Sequence, residues 1–362
     1  MVAFVRVLSR RELTVALLAR QLLLDRARMP VEAAVRHLVA LQGQYSPSPY
    51  IALAARLDGF RIEDLEAALR AGSVVKSSLM RGTLHLCAAA DYPAYATACM
   101  RDMRMAMRAQ NREAAPYEEK IVAGVTEYLA EPRTTDEIRE RVRELSGGTV
   151  KEHRLLDYAR FLVPAVHVPP SGLWDRHGKF SLVAWSGPPL PPEPEAMRVL
   201  TERYLAAYGP ATRDDIATFA GVRLGAVDAA LKELEPARYT DADGRDLYDL
   251  PGAPLPPEDT ATPVRLLARL DSATLAHRDR TRILRPEHQE RLMDMARAKV
   301  APYLVDGLVA GMWTYTAGRE SATLTVIPFT GPPPAGLEPE AERMLAFVAP
   351  AARVREITVQ EQ

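Results

Sequence analysis

The heptapeptide Pro132-Arg133-Thr134-Thr135-Asp136-Glu137-Ile138 returns in altered form as Pro210-Ala211-Thr212-Arg213-Asp214-Asp215-Ile216, 78 residues downstream. A chain that repeats one local device at that spacing is built from units of that size rather than around a single core. Thr134 with Glu137 has the spacing of a capping box, in which a hydroxyl accepts the amide three residues on and the carboxylate reaches back. Thr212 with Asp215 is its shorter variant, so each heptapeptide predicts the start of a helix.

The sequence after each start is alike. A short helix leads to a glycine turn, at Gly147-Gly148 or Gly221, and then to a second helical pattern over Lys151–Leu162 or Leu224–Leu234. Extended runs follow, Ala165–Val168 with Phe180–Trp185, and Ala237–Thr240 with Asp246–Leu250 around Asp243-Gly244, which predict a hairpin, or wing, in each unit. Helical runs ahead of each repeat, Tyr117–Ala130 and Pro194–Tyr208, complete the units. The amino-terminal segment uses the same grammar. Ser9 and Glu12 form a capping box before Leu13–Leu24, Pro30 opens a helix to about Leu41, and helices at Tyr50–Leu57 and Ile62–Ala71 lead to strands Val74–Leu79 and Thr83–Ala88 around Arg81-Gly82. A long helix, Asp91–Asn111, runs on to the next unit.

Pro-rich stretches Gly187–Pro194 and Pro251–Pro263 read as linkers. From Val264 the pattern turns β-rich, with helices predicted over Pro286–Val300 and Pro339–Val348, which gives a separate α+β cap. The expected fold is therefore mainly α with β-hairpin wings, in the α+β class. It comprises three tandem winged helix-turn-helix units over residues 1–112, 113–190 and 191–256, and a C-terminal α+β region over 257–362.

Composition narrows the function. Two cysteines, Cys87 and Cys99, with no CxxC pair and no histidine cluster, indicate neither a disulfide framework nor a zinc site. No apolar stretch is long enough to span a bilayer and no signal peptide opens the chain, so a cytoplasmic protein without a membrane partner is expected. The net charge is −1, but its distribution is uneven: residues 1–110 hold 15 Lys/Arg against 9 Asp/Glu, and residues 261–300 carry an excess of four positive charges. Two basic patches on a neutral protein suit a nucleic-acid partner. Phosphate loops, nucleophile elbows and HExxH pairs are absent, which argues against nucleotide hydrolysis and zinc chemistry.

One polar segment stands out, Leu41-Gln42-Gly43-Gln44-Tyr45-Ser46-Pro47-Ser48-Pro49-Tyr50, at the expected end of the second helix. Two readings fit it. Gly43 is the left-handed residue that ends the helix, with solvated glutamines beside it; or the turn aims Gln42, Gln44 and Tyr45 into a cleft between units. Two readings also fit Arg81, Thr83 and His85: phosphate or groove contacts from the first wing, or a salt-bridged arginine beside a half-buried strand histidine. Arg278, Arg280, Arg282 and Arg285, with Asp279 among them, form a cationic run suited to the DNA backbone or to a solvated loop.

Four of these segments together resemble the AlkZ/YcaQ-like winged-helix DNA glycosylases. They are Leu41-Gln42-Gly43-Gln44, similar to that family's Gln-x-Gln motif; Met80-Arg81-Gly82-Thr83-Leu84-His85-Leu86; Arg278-Asp279-Arg280; and Leu304-Val305-Asp306-Gly307-Leu308-Val309-Ala310-Gly311-Met312-Trp313. The resemblance runs from about Leu8 to Phe329. It implies a C-shaped scaffold around double-stranded DNA carrying alkylated purines, and a monofunctional glycosylase that removes N7-alkylated purines, bulky antibiotic adducts and crosslinks included. It further implies Gln42 and Gln44 as the catalytic pair, and DNA contacts from Tyr45, Arg81, Thr83, His85, Arg278, Arg280 and Arg282. No cofactor or metal is called for, a monomer is expected, and an Ala- and Arg-rich composition fits a bacterial source in which self-resistance is the natural role. In this family Gly43 departs from the hydrophobic residue often found between the glutamines. The rival classes are a DNA-binding regulator without chemistry and a protein-interaction scaffold. The first would bind DNA and release no base; the second would not bind duplex DNA.

Overall fold

The structure is a computed structural model that describes residues 5–174, 176, 178, 180–291 and 299–360. The chain is of mixed α+β composition. Its amino-terminal segment runs β1 (Arg6–Leu8), α1 (Arg10–Arg20), α2 (Val31–His37), β2 (Leu41–Gln42), α3 (Ser48–Arg56), α4 (Ile62–Ala71), β3 (Val74–Ser78), β4 (Leu84–Ala88) and α5 (Tyr92–Gln110). The first repeat follows as α6 (Glu118–Tyr128), β5 (Arg133–Thr134), α7 (Thr135–Leu145), α8 (Leu155–Leu162), β6 (Ala165–Val168) and β7 (Ser181–Ala184). The second is α9 (Glu193–Tyr208), α10 (Arg213–Ala220), α11 (Leu224–Leu234), β8 (Ala237–Asp241) and β9 (Asp246–Asp249).

Three helices begin in the same way. At α1, Ser9 Oγ accepts the Glu12 amide at 3.1 Å while Glu12 accepts the Ser9 amide at 2.8 Å. Thr134 with Glu137 at α7, and Thr212 with Asp215 at α10, close the same reciprocal box. Each box satisfies amides that a helix start leaves without partners. Gly221, at φ 74°, ends α10 in the left-handed conformation that glycine adopts without steric cost.

Each segment folds its strands into a small three-stranded sheet, ordered β2-β4-β3, β5-β7-β6 and β1-β8-β9. The third contains a strand that the sequence pattern does not announce. β1 pairs in parallel with β8, Arg6 opposite Tyr239 and Leu8 opposite Asp241, so the start of the chain completes the hairpin of the second repeat. Leu8 and Leu13 pack on Leu247 there.

The tail forms a five-stranded sheet from β10 (Arg265–Leu266), β11 (Ala301–Val305), β12 (Leu308–Ala317), β13 (Ser321–Pro328) and β14 (Val354–Val359), with α13 (Leu337–Val348) against it, and a short α12 (Ser272–Leu275) follows β10 in the chain. Of the helix predicted over Pro286–Val300, residues 292–298 lie outside the described residues. The tail is not a separate cap in its packing. Trp313, Leu324 and Met344 share one continuous core with Leu17, Tyr50 and Leu53 of the amino-terminal segment and with Tyr204 and Phe219 of the second repeat. The first repeat keeps its own core, centred on Ile121, Val142, Leu155 and Leu162. Two buried ion pairs tie the larger core together, Arg20 with Asp249 and Arg56 with Asp271.

Candidate active site

The Gln42-Gly43-Gln44 segment stands on a sheet edge, not on a helix end. α2 stops at His37, Val39 takes φ 67° to reverse the chain, and Leu41 and Gln42 then pair with Leu86 and His85 of β4. Gly43 is therefore not the left-handed helix cap. It donates its amide to Leu84 O at 2.7 Å, and a Cβ there would meet Leu86 Cδ1 at 2.7 Å. A bulkier residue would have to push the end of the Leu86 side chain aside, which favours glycine here.

Gln42 is only 9% exposed, and its Oε1 has no hydrogen-bond partner among the described residues. Leaving a buried acceptor unmatched costs about 1–3 kcal/mol. Gln44, two residues on, is exposed. Tyr45 is half-buried: the Arg269 guanidinium lies 5.7 Å from its ring centroid, and it shares a hydrogen bond with Tyr315. Ser46 Oγ donates to Arg176 O at 3.1 Å and Ser48 Oγ to Arg269 O at 2.8 Å. The loop that carries the glutamines is thus fastened to both the first repeat and the tail.

Behind Gln42, His85 is 1% exposed, with Nδ1 2.9 Å from Thr83 O. Burial, reinforced by the Arg81 charge, pushes its pKa down to about 3, so the ring is neutral. A residue this enclosed has no surface to give a duplex, which corrects the expected groove contact. Thr83 is half-buried and its hydroxyl donates to Met80 O at 3.1 Å. Arg81, at φ 56°, turns inward, donates to Phe219 O and lies 5.6 Å from the Phe219 ring centroid; burial lowers its pKa. Its expected phosphate contact gives way to a brace between the β3–β4 turn and α10.

The arginine run divides in three. Arg278 is exposed, pairs with Asp214 at 2.8 Å and anchors its backbone amide on Asp215 at 2.7 Å. Arg280 is half-buried, with its pKa lowered by burial, and no carboxylate pairs with it among the described residues. Arg282 is 6% exposed and donates to Pro210 O at 2.9 Å, so it braces the fold and does not face DNA as expected. Arg280 is close enough for its charge to add to the lowering of the Arg81 pKa, so β3–β4 and the tail converge here. A cleft of about 730 Å³ lined by Arg213, Asp214, Arg245, Tyr248 and Arg278 opens beside this run.

With this geometry in place, comparison with known proteins decides the family. The family model described as DNA glycosylase AlkZ-like matches residues 35–347, most of the chain. The protein belongs to the AlkZ-like DNA glycosylase family. Among solved structures, DNA glycosylase AlkZ of Streptomyces sahachiroi superposes with a TM-score of 0.77 at 20% sequence identity, over 96% of this chain and 100% of that one. No curated protein sequence matches the chain. At this identity the likeness establishes a shared AlkZ-like fold.

Among the described residues no three His, Cys, Asp or Glu side chains group as metal ligands, and no helix is long and apolar enough to cross a membrane. Sequence reasoning passed over one residue beside the glutamines. Lys76 lies mid-β3 and is 6% exposed, with its Cε 3.6 Å from where a Gly43 Cβ would stand. The signal available was a lone lysine inside Val74-Val75-Lys76-Ser77-Ser78, where a buried strand ordinarily holds apolar residues.

Proposed function

We propose that this AlkZ-like protein is a DNA glycosylase that hydrolyses the N-glycosidic bond of N7-alkylated purines in duplex DNA. Bulky antibiotic–guanine adducts and crosslinks fall within its range, in a self-resistance or repair role. The observation that carries the reading is Gln42: a buried amide with an unmatched Oε1, held rigidly on a strand two residues from the exposed amide of Gln44. An N7-alkylated purine is already cationic and leaves readily, so strong acid catalysis is unnecessary. What remains is to hold a water near C1′ and to stabilise oxocarbenium-like charge with oriented carbonyl dipoles, which amides do. Gln44 positions the water and Gln42 supports it and the developing sugar charge. Neither amide forms a covalent bond to the sugar, so base release is monofunctional hydrolysis.

In this reading the three helix-plus-hairpin segments, residues 1–112, 113–190 and 191–256, are tandem winged helices that together with the tail, 257–362, grip one duplex as a monomer. Tyr45, Arg278 and Arg280 make the DNA contacts. Arg81, Thr83, His85 and Arg282 support them from inside. The test is release of 7-methylguanine, and of a bulkier N7-guanine adduct, by wild type, Gln42→Ala and Gln44→Ala. Release by wild type, lost in both variants with DNA affinity retained, is the expected result. Tight DNA binding without any base release by wild type would point to a regulator.

A further inference from the structure

Six of the chain's 46 basic residues are lysines. Lys76 occupies a position where a cation is hard to keep, mid-strand and 6% exposed. Its stem crosses one face of the β2-β4-β3 sheet. Cδ lies 3.4 Å from the Cβ position of Gly172, and Cε lies 3.6 Å from that of Gly43. Lys76 and Leu86 therefore fill the space that a side chain between the two glutamines would need.

Register places the groups on opposite faces. Gln42 stands opposite His85, which stands opposite Ser77; Leu41, Leu86 and Lys76 form the adjoining row and point the other way. Gly43 thus separates a neutral amide on one face from an amine on the other. No partner matches that amine among the described residues. His167 on β6 faces it, but burial and the Lys76 charge itself hold that imidazole neutral, with a pKa pushed down to about 3. Glu66 on α4, the helix packed against β3, is engaged by Arg70 at 2.8 Å and by the Trp174 amide at 3.3 Å. β2 and β4 contribute only uncharged groups, Gln42, Gly43, Leu86 and neutral His85.

A nucleotide in DNA divides its chemistry in the same way, with an uncharged sugar carbon to one side and an anionic phosphodiester close by on the other. We propose that Lys76 reaches past Gly43 to hold the backbone phosphodiester flanking the nucleotide whose glycosidic bond Gln42 and Gln44 address. This rests on the glycosylase reading for the identity of that nucleotide. An anion at the amine offsets the desolvation that burial imposes on the Lys76 charge. Burial sets the free amine's pKa at about 8, below lysine's ordinary 10.5, and a bound phosphate raises it. Binding is then at full strength below pH 8 and weakens above it, by up to about tenfold per pH unit, because the amine must be recharged to bind.

The experiment measures the affinity of the intact protein for a duplex containing a tetrahydrofuran abasic analogue, from pH 6.5 to 9.5 and across salt concentrations. Wild type, Lys76→Arg and Lys76→Met are compared. Wild type is expected to weaken as pH rises through 8, and Lys76→Arg to bind with no such dependence. Lys76→Met is expected to bind about tenfold more weakly at pH 7, with a salt slope reduced by about one phosphate contact. Unchanged affinity and salt slope in Lys76→Met would overturn the proposal. So would borohydride trapping on a natural abasic duplex that wild type shows and Lys76→Met lacks, which would show the Lys76 amine attacking C1′. If Lys76→Met fails to fold, the contrast between wild type and Lys76→Arg still decides. Lys76-dependent binding without release of 7-methylguanine would leave the phosphate site standing and remove the glycosylase reading instead.

Discussion

Arg56 and Asp271 meet in a two-bond ion pair, Nη1 to Oδ2 at 2.8 Å and Nη2 to Oδ1 at 2.7 Å, with both side chains enclosed. The pair joins α3, which follows the glutamine loop, to the start of α12. Removing one partner leaves an unmatched buried charge, which costs about 3–5 kcal/mol. Asp271→Asn should therefore lower the unfolding free energy in urea by that amount, and Arg56→Met with Asp271→Leu should recover most of it. A loss below about 1 kcal/mol in the single variant would contradict the enclosure described.

Gln42 presents the opposite case, a buried polar atom that stability does not need. Gln42→Leu should raise unfolding free energy by about 1 kcal/mol, because the unmatched Oε1 disappears, while base release falls by about 100-fold or more. Gln44→Ala should leave stability within about 0.5 kcal/mol and reduce release similarly. A Gln42→Leu protein less stable than wild type would show that Oε1 has a partner in solution.

The capping boxes of α7 and α10 are chemically alike but differ in what hangs on them. Thr134→Ala and Thr212→Ala should each cost about 1 kcal/mol. At α10 the box carboxylate, Asp215, is buried and also holds the Arg278 amide at 2.7 Å. Thr212→Ala should thus weaken duplex binding as well as stability, and Thr134→Ala stability alone. Fluorescence-anisotropy titrations of both variants against an undamaged duplex would separate the two.

Three buried histidines, His85, His167 and His277, have pKa values pushed down to about 3, chiefly by burial. The unfolded chain protonates them near 6.5. Their neutral burial therefore costs nothing above pH 6.5, and stability is lost progressively as pH falls from 6.5 toward 3. Melting temperature should drop across that window, and His85→Asn or His167→Asn should flatten the drop by one titrating group. A melting temperature unchanged between pH 7 and pH 4 would rule this out.

Local chemistry was legible in the sequence where a few consecutive residues decide the outcome. Ser9, Thr134 and Thr212 announce their helices because a cap is complete within four residues. α11 runs over Leu224–Leu234 as its periodicity predicts. What escaped is long-range. The turn at Val39 carries Gln42 onto a strand because β4 offers a free edge, and no local pattern states that. Arg81 and Arg282 look like surface cations until Phe219 and Pro210 bring backbone carbonyls to them. A sequence gives the charge of such residues, but the carbonyl that captures them comes from an element 138 positions away for Arg81 and 72 for Arg282.

The parallel pairing of Arg6–Leu8 with Tyr239–Asp241 reverses the order of assembly. During synthesis β1 leaves the ribosome long before its partner β8 and waits, with Val5 and Val7 exposed even in the finished protein, until the second repeat has emerged. Its pairing is a closing step in maturation, not an opening one. Trimming the chain's first eight residues would accordingly be felt not near α1 but in the Ala237–Asp249 hairpin, whose outer edge would then lie open to other chains.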